Sequence, residues 1–252
     1  MREFTRAVVS RYKNSPAIWM WEFGNEFNLS ADLPLDKAML PPTVPAHGTP
    51  VERDVAVDLL TTDDVRVALS AFAQEVRGID PKRPITSGHA VPRPHAECLR
   101  STRAWERIDT REVSLQGLQY QHPDGIDVAS IHVYPESVHE ARFQTDYRAS
   151  YAELFSLYNA CGKPLFLGEF GAFTGQVSEL DTDDKALAEF QRMLDALIES
   201  GIPLAAAWNF FGAESTGIRQ QPWNFDHQSR TAYLDAIAAA NRKIGKRPPI
   251  GE

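Results

Sequence analysis

The sequence predicts an α/β fold in which a parallel sheet is covered by helices. Near-continuous apolar segments alternate with amphipathic ones in the order α-βα-βα-βα-βα-βα, as buried parallel strands with crossover helices would. Proline stands at the start of most apolar segments (Pro16, Pro84, Pro164, Pro203), and polar residues gather where the segments end. A chain of 252 residues, 43% hydrophobic and 24% charged, can bury a large core. No internal repeat and no linker interrupts it, so residues 1–252 are expected to form one domain.

The elements follow in order. An opening helix should turn Phe4, Ala7, Val8 and Tyr12 inward, and Asn14-Ser15-Pro16 breaks it. "AIWMWEFG" (17–24) reads as the first strand, followed by a Pro-rich loop over roughly 29–52. "TTDDVRVALSAFAQEVRGID" (61–80) reads as a helix capped by Thr62 or Asp63, with Val65, Leu69, Phe72, Val76 and Ile79 buried. "PITSGHA" (84–90) is the second strand. A long polar stretch with one helix near 105–119 leads to "IDVASIHVY" (126–134), the third. "DYRASYAELFSLYNACG" (146–162) turns Tyr151, Leu154, Phe155 and Tyr158 inward. "KPLFLGEFG" (163–171) is the fourth strand. The next helix (181–201) is capped by Asp181 or Thr182 and ended by Gly201. It buries Leu187, Phe190, Met193, Leu194, Leu197 and Ile198. "PLAAAWNFFG" (203–212) is the fifth strand, and residues 229–245 close the chain as a helix.

The net charge of −8, without a Lys/Arg cluster, argues against nucleic acid or an anionic membrane as partner. No apolar run is long enough to span a bilayer. Cys98 and Cys161 are expected to be buried free thiols. No histidine spacing marks a metal site, and no Gly-rich phosphate loop follows a strand, which leaves little room for an open nucleotide-binding sheet. Asn28-Leu29-Ser30 fits the short N-glycosylation pattern.

The polar residues concentrate at strand C-termini: Asn25 with Glu26, Ser87 with His89, His132 with Tyr134, Glu169, and Trp208 with Asn209. In a (β/α) barrel this rim builds the active site. Two glutamates at strand tips suit glycoside hydrolysis. One carboxyl protonates the leaving oxygen while the other attacks the anomeric carbon or activates a water. Each of these glutamates sits in an aromatic and glycine setting, which an ordinary solvated residue does not need.

"WEFGNEFN" (21–28), "IHVYPE" (131–136), "PLFLGEFG" (164–171) and "AAAWNFF" (205–211), in this order, resemble the clan A glycoside hydrolases, and among them the cellulase-like enzymes of glycoside hydrolase family 5. The resemblance implies a TIM (β/α)8-type barrel and a retaining mechanism through a covalent glycosyl-enzyme intermediate. Glu26 would be the acid/base and Glu169 the nucleophile. Asn25 would bond the sugar's 2-hydroxyl, His132 and Tyr134 would line the site, with the Tyr hydroxyl on the nucleophile, and Trp208 would be the sugar platform. The substrate would be a β-linked glucan or mannan, with no metal and no cofactor. His89 is a weaker candidate for substrate contact. Phe27, Trp105, Phe211, Trp223 and Phe225 could add subsites.

The likeness departs from the family in its N-terminal part: the chain opens with a helix and shows five strands where a barrel has eight. The family's acid/base follows the fourth strand, whereas Glu26 follows the first. The expectation is therefore an incomplete barrel holding strands four to eight, N-terminally truncated, without an Arg and a His that the family places early. Open barrel edges would favour self-association. The N-terminus lacks the apolar core of a signal peptide, but in a fragment this leaves localisation open, and the family is often secreted. The rival function is a carbohydrate-binding but inactive fragment or degenerate barrel.

Overall fold

The computed structural model describes residues 1–40, 46, 48, 52–136, 147–211 and 221–245. The chain divides into two compact units, Met1–Ala129 and Ser130–Glu252. The expected helices at 61–80, 146–162, 181–201 and 229–245 all form, and the five strands form with shorter paired cores.

The first unit holds α1 (Arg2–Tyr12), β1 (Trp21–Glu22), α2 (Val55–Asp58), α3 (Thr62–Ile79), β2 (Ile85–Thr86), α4 (Ala96–Thr102) and α5 (Arg111–Gln121), with short 3-10 turns at Phe27–Ser30 and Lys37–Met39. The remainder of the Pro-rich loop lies largely outside the described residues. β1 pairs in parallel with β2, Trp21 opposite Ile85 and Glu22 opposite Thr86. A parallel bridge also joins Thr86 to Val128.

The cap of α3 is Thr61 rather than Thr62 or Asp63. Its side chain accepts from Asp64 N while the Asp64 carboxylate accepts from Thr61 N, a reciprocal capping box. Thr62 is buried instead and donates through Oγ1 to Asp32 at 2.6 Å. Val65, Leu69, Ala73 and Val76 form the buried stripe, with Phe72 and Ile79 partly buried against it. The opening helix sits rotated from the expected face. Phe4 is 73% exposed while Val9 is buried. The Val8–Val9 edge meets the core beside α3, and Arg6 pairs with Glu75 of that helix. Residues 90–125 form two helices in place of one. The Asp109 carboxylate caps the first of them, accepting from Glu97 N at 2.8 Å and Cys98 N at 3.0 Å.

One buried carboxylate organises the approach to β1. Asp80 accepts from Trp21 Nε1 at 3.0 Å and from Arg83 at 2.8 Å. Arg83 also donates to the carbonyls of Ile18, Ser15 and Lys13, tying down the segment that precedes the strand. Burial opposes the charge on Asp80, but the bonds from Trp21, Arg83 and the backbone of Lys82 outweigh it and hold the carboxyl far below the usual range.

The second unit holds β3 (Ala129–Val133, which begins at the boundary), α6 (Tyr147–Asn159), β4 (Leu165–Phe170), α7 (Asp183–Ser200), β5 (Leu204–Ala207) and α8 (Thr231–Lys243). The strand order is β3-β4-β5. β4 and β5 run parallel. Thr182 caps α7 by accepting from Lys185 N, and Gly201 ends it at φ 67. Tyr151, Leu154, Phe155 and Tyr158 of α6 are buried as expected. On α7, Leu187 and Ile198 are only half-buried, whereas Glu189 is fully buried. Its carboxylate accepts from Tyr151 Oη at 2.8 Å and pairs with Arg192. Desolvation and this carboxylate push the Tyr151 hydroxyl well above its ordinary pKa. An aromatic core of Phe170, Phe190, Phe225 and Tyr233 fills the unit. Cys98 and Cys161 are buried free thiols. Among the described residues no helix is long and apolar enough to cross a membrane.

Leu69→Ala should cost about 3 kcal/mol, read as a lower urea midpoint, because Leu69 is wholly enclosed. Val67→Ala, at an exposed position of the same helix, should leave the midpoint unchanged. The depressed pKa of Asp80 gives stability that is present above about pH 4 and lost as pH falls below it. Asp80→Asn should therefore lie below the parent at pH 7, with the gap closing toward pH 2 in acid-titrated urea melts.

Candidate active site

Each unit places part of the expected site. In the first, the β1–β2 ladder continues past the paired residues, Phe23 N donating to Thr86 O at 3.1 Å. Two glycines then let the strand exits touch. A Cβ on Gly88 would lie 1.7 Å from Gly24 O, and Gly88 has φ +69, so only glycine fits there. The Gly88 carbonyl in turn accepts from Glu26 N at 2.8 Å. Glu26 itself is left-handed, at φ 58 and ψ 28, and its carbonyl accepts from Leu29 N to start the 3-10 turn. Asn28 fastens this turn to the exit of β2. Its amide donates to Ala90 O at 2.8 Å and accepts from Ala90 N at 3.0 Å. The amide nitrogen that a glycan would need is thus engaged. Glu26 is half-buried and Asn25 exposed.

His89 lies inside this unit, 1% exposed, with its ring edge-on to His122 at 5.2 Å. His122 bonds Ser87 Oγ and Leu118 O. Ser87 and His89 thus both meet His122 within this unit. Phe27 is 40% exposed against Phe23, and Trp105 is exposed beside His95.

In the second unit three expected residues converge. Glu169 occupies a bulge in β4. Leu167 opposes Ala205 and Phe170 opposes Ala207, so Gly168 and Glu169 together face Ala206. Bulges re-aim side chains and are frequent beside active sites. Tyr134 Oη donates to Glu169 Oε2 at 2.7 Å, and His132 Nδ1 stands 3.6 Å from the same oxygen. His132 is buried. The shared strand face expected of His132 and Tyr134 thus becomes a shared carboxylate.

Glycines make room on both sides of Glu169. A Cβ at Gly168 would come within 3.0 Å of His132 Nε2 and 3.1 Å of Ser130 Oγ, and one at Gly171 within 2.8 Å of Trp208 O. Trp208 N donates to Phe170 O at 2.8 Å, and the indole is 41% exposed. The Trp208–Asn209 peptide is cis. Of the other aromatics proposed from sequence, Phe225 is buried and Trp223 packs on Phe173. The arrangement can present a carboxylate with a fixed donor beside it and an aromatic face at the end of the next strand. The bulge is not readable from sequence; Gly168 and Gly171 around Glu169 are the one local signal that could mark close packing there.

Gly88→Ala should lower the thermal midpoint by about 5 °C, because a left-handed alanine must also push the Gly24 carbonyl away. An unchanged midpoint in differential scanning calorimetry would remove Gly88 as the support of Glu26.

The chain is similar in structure to the endo-β-1,4-mannanase from Thermotoga petrophila, with a TM-score of 0.61 at 15% identity, covering 100% of this chain and 51% of that one. It is similar to the endo-1,4-β-mannanase from Rhizomucor miehei, with a TM-score of 0.61 at 14% identity, covering 97% and 61%. A glycoside hydrolase family 5 mannosidase from Rhizomucor miehei gives 0.55 at 10% identity, covering 96% and 58%. The chain thus spans between half and two thirds of these structures, and the likeness shows the fold: an incomplete (β/α)8-type barrel carrying strands four to eight with their helices. No curated protein matches by sequence. The cellulase family model matches residues 1–213, and the chain belongs to that family, glycosyl hydrolase family 5.

Proposed function

We propose that residues 1–252 serve as one catalytic domain of a retaining glycoside hydrolase that cleaves a β-linked glucan or mannan. The observation that carries this is the carboxylate of Glu169, set in a bulge at a strand end with Tyr134 Oη at 2.7 Å. That donor holds one oxygen in place and leaves the other to attack. In a family 5 chain a carboxylate so placed is suited to be the nucleophile.

The steps follow from this assignment. Glu169 attacks the anomeric carbon as the glycosidic C–O bond breaks, and Glu26 gives its proton to the departing oxygen. A water then gives a proton back to Glu26, its hydroxyl adds to the anomeric carbon, and Glu169 is released. Such chemistry requires the two carboxyl groups to stand about 5 Å apart. Asn25 bonds the sugar's 2-hydroxyl, and His132 lines the pocket with Tyr134. The exposed indole of Trp208 stacks on the sugar's C–H face. Two of the similar structures are β-1,4-mannanases and another is an endoglucanase, in line with a β-linked mannan or glucan. No metal or cofactor enters these steps. The edge strands of each sheet would favour self-association, which sedimentation would detect as a dimer.

A second reading is that the chain binds saccharides without cleaving them, since it spans only 51% and 61% of the two mannanase chains. Glu169→Ala should abolish turnover of aryl β-glycosides and β-mannan and leave the fold intact by circular dichroism. A variant with near-parental rate would refute the nucleophile assignment. Glu26→Ala should slow poor leaving groups by at least about a hundredfold and activated aryl glycosides far less, since only the former need the proton. Equal losses on both would count against the acid role.

A further inference from the structure

We infer that Phe210, braced by His227, is a second sugar-stacking platform two residues beyond Trp208, so that the site grips more than one ring of a β-linked saccharide. This rests on the saccharide-cleaving reading above and extends it.

Phe210 is 54% exposed in a unit whose core encloses Phe170, Phe190 and Phe225. Single exposed aromatics need no explanation. Here two stand within three residues, since Trp208 is 41% exposed. The backbone under Phe210 is also hydrogen-bonded to a second segment. Asn209 N donates to Trp223 O, Phe225 N to Asn209 O and Phe211 N to Phe225 O, each at 3.2 Å, and Phe210 bridges Phe225 in parallel. Phe225 is itself buried and stacked on Tyr233, whose hydroxyl donates to Ala172 O at 2.9 Å. The exposed ring therefore stands on an anchored base.

The ring is braced from the side as well. His227 meets Phe210 at 5.4 Å and 71°. A tight turn holds His227, with Gln228 N and Ser229 N both donating to Asp226 Oδ1 at 2.7 Å. An aromatic face held open on a rigid support loses little entropy when a ligand covers it.

The chemistry of that ligand follows. A pyranose has an apolar C–H face and hydroxyls around its edge. The face suits Phe210, and the exposed His227 imidazole offers ring nitrogens to the hydroxyls. Two residues of backbone reach at most roughly 7 Å, the scale of neighbouring rings in one saccharide chain. The platform thus adds length recognition to the site.

The test is titration calorimetry with a β-1,4-linked mannose disaccharide and pentasaccharide, and their glucose counterparts. Binding is measured in the Glu169→Gln background to stop turnover. Phe210→Ala should weaken pentasaccharide binding roughly fivefold, the loss of about 1 kcal/mol of apolar contact. Disaccharide affinity should change less, so the preference for the longer ligand falls, and Phe210→Trp should restore it. Equal pentasaccharide affinity in Phe210→Ala and its background overturns the platform. So does a background protein that prefers neither length or binds neither. Turnover of aryl β-glycosides by the parent chain, measured separately, then shows whether the hydrolase reading stands without the platform or falls with it.

Discussion

Parallel pairing is the constraint on which the site depends. A parallel strand cannot be joined to its neighbour by a tight turn, so the chain must cross back through a helix before pairing again. Strand C-termini within one sheet therefore share an edge, and residues that follow successive strands become neighbours although far apart in sequence. In the first unit this brings the exit of β1 against that of β2, where Gly24 touches Gly88 and Glu26 is held by the Gly88 carbonyl. In the second it brings Tyr134, beyond β3, onto Glu169 of β4, and the Trp208 amide, beyond β5, onto the carbonyl of Phe170. The chemistry is assembled by backbone geometry before any side chain chooses a rotamer.

Buried charge fixes each unit where apolar packing alone would allow slippage. Apolar contacts are non-directional, and two-residue strands such as β1 offer few ladder bonds to set register. Asp80 supplies direction instead, because Trp21 Nε1 and Arg83 must both aim at it. Glu189 does the same between α6 and α7 through Tyr151. Removing one partner from such a cluster leaves a charge uncompensated in the interior, which is more costly than the bond itself is stabilising.

Much of this was legible in the sequence because it rests on local signals. The stripe of α3, the Thr182 and Gly201 ends of α7 and the inward face of α6 follow from periodicity and capping chemistry. Motif order pointed to Glu26, Glu169, His132 and Tyr134, and the last three do meet. What was not legible depends on partners distant in sequence. The seat of α1 depends on the α3 face that Val8 and Val9 meet, the extra helix after β2 is capped by Asp109, and the buried Glu189 is met by Tyr151 of another helix. The strand cores came out short because pairing, not hydrophobicity, defines them. Trp19 belongs to the apolar run of the first strand yet is 70% exposed.

The left-handed backbone at Glu26 has an evolutionary consequence. A side chain of this size at φ 58 carries a conformational penalty of about 1 kcal/mol that glycine or asparagine would largely escape. Selection for folding alone would drive the position toward those two residues. Under the proposed role, selection for turnover keeps the glutamate. The two pressures pull one codon in opposite directions, and a library sorted for cellular abundance would rank its alleles in the reverse order of one sorted for sugar release.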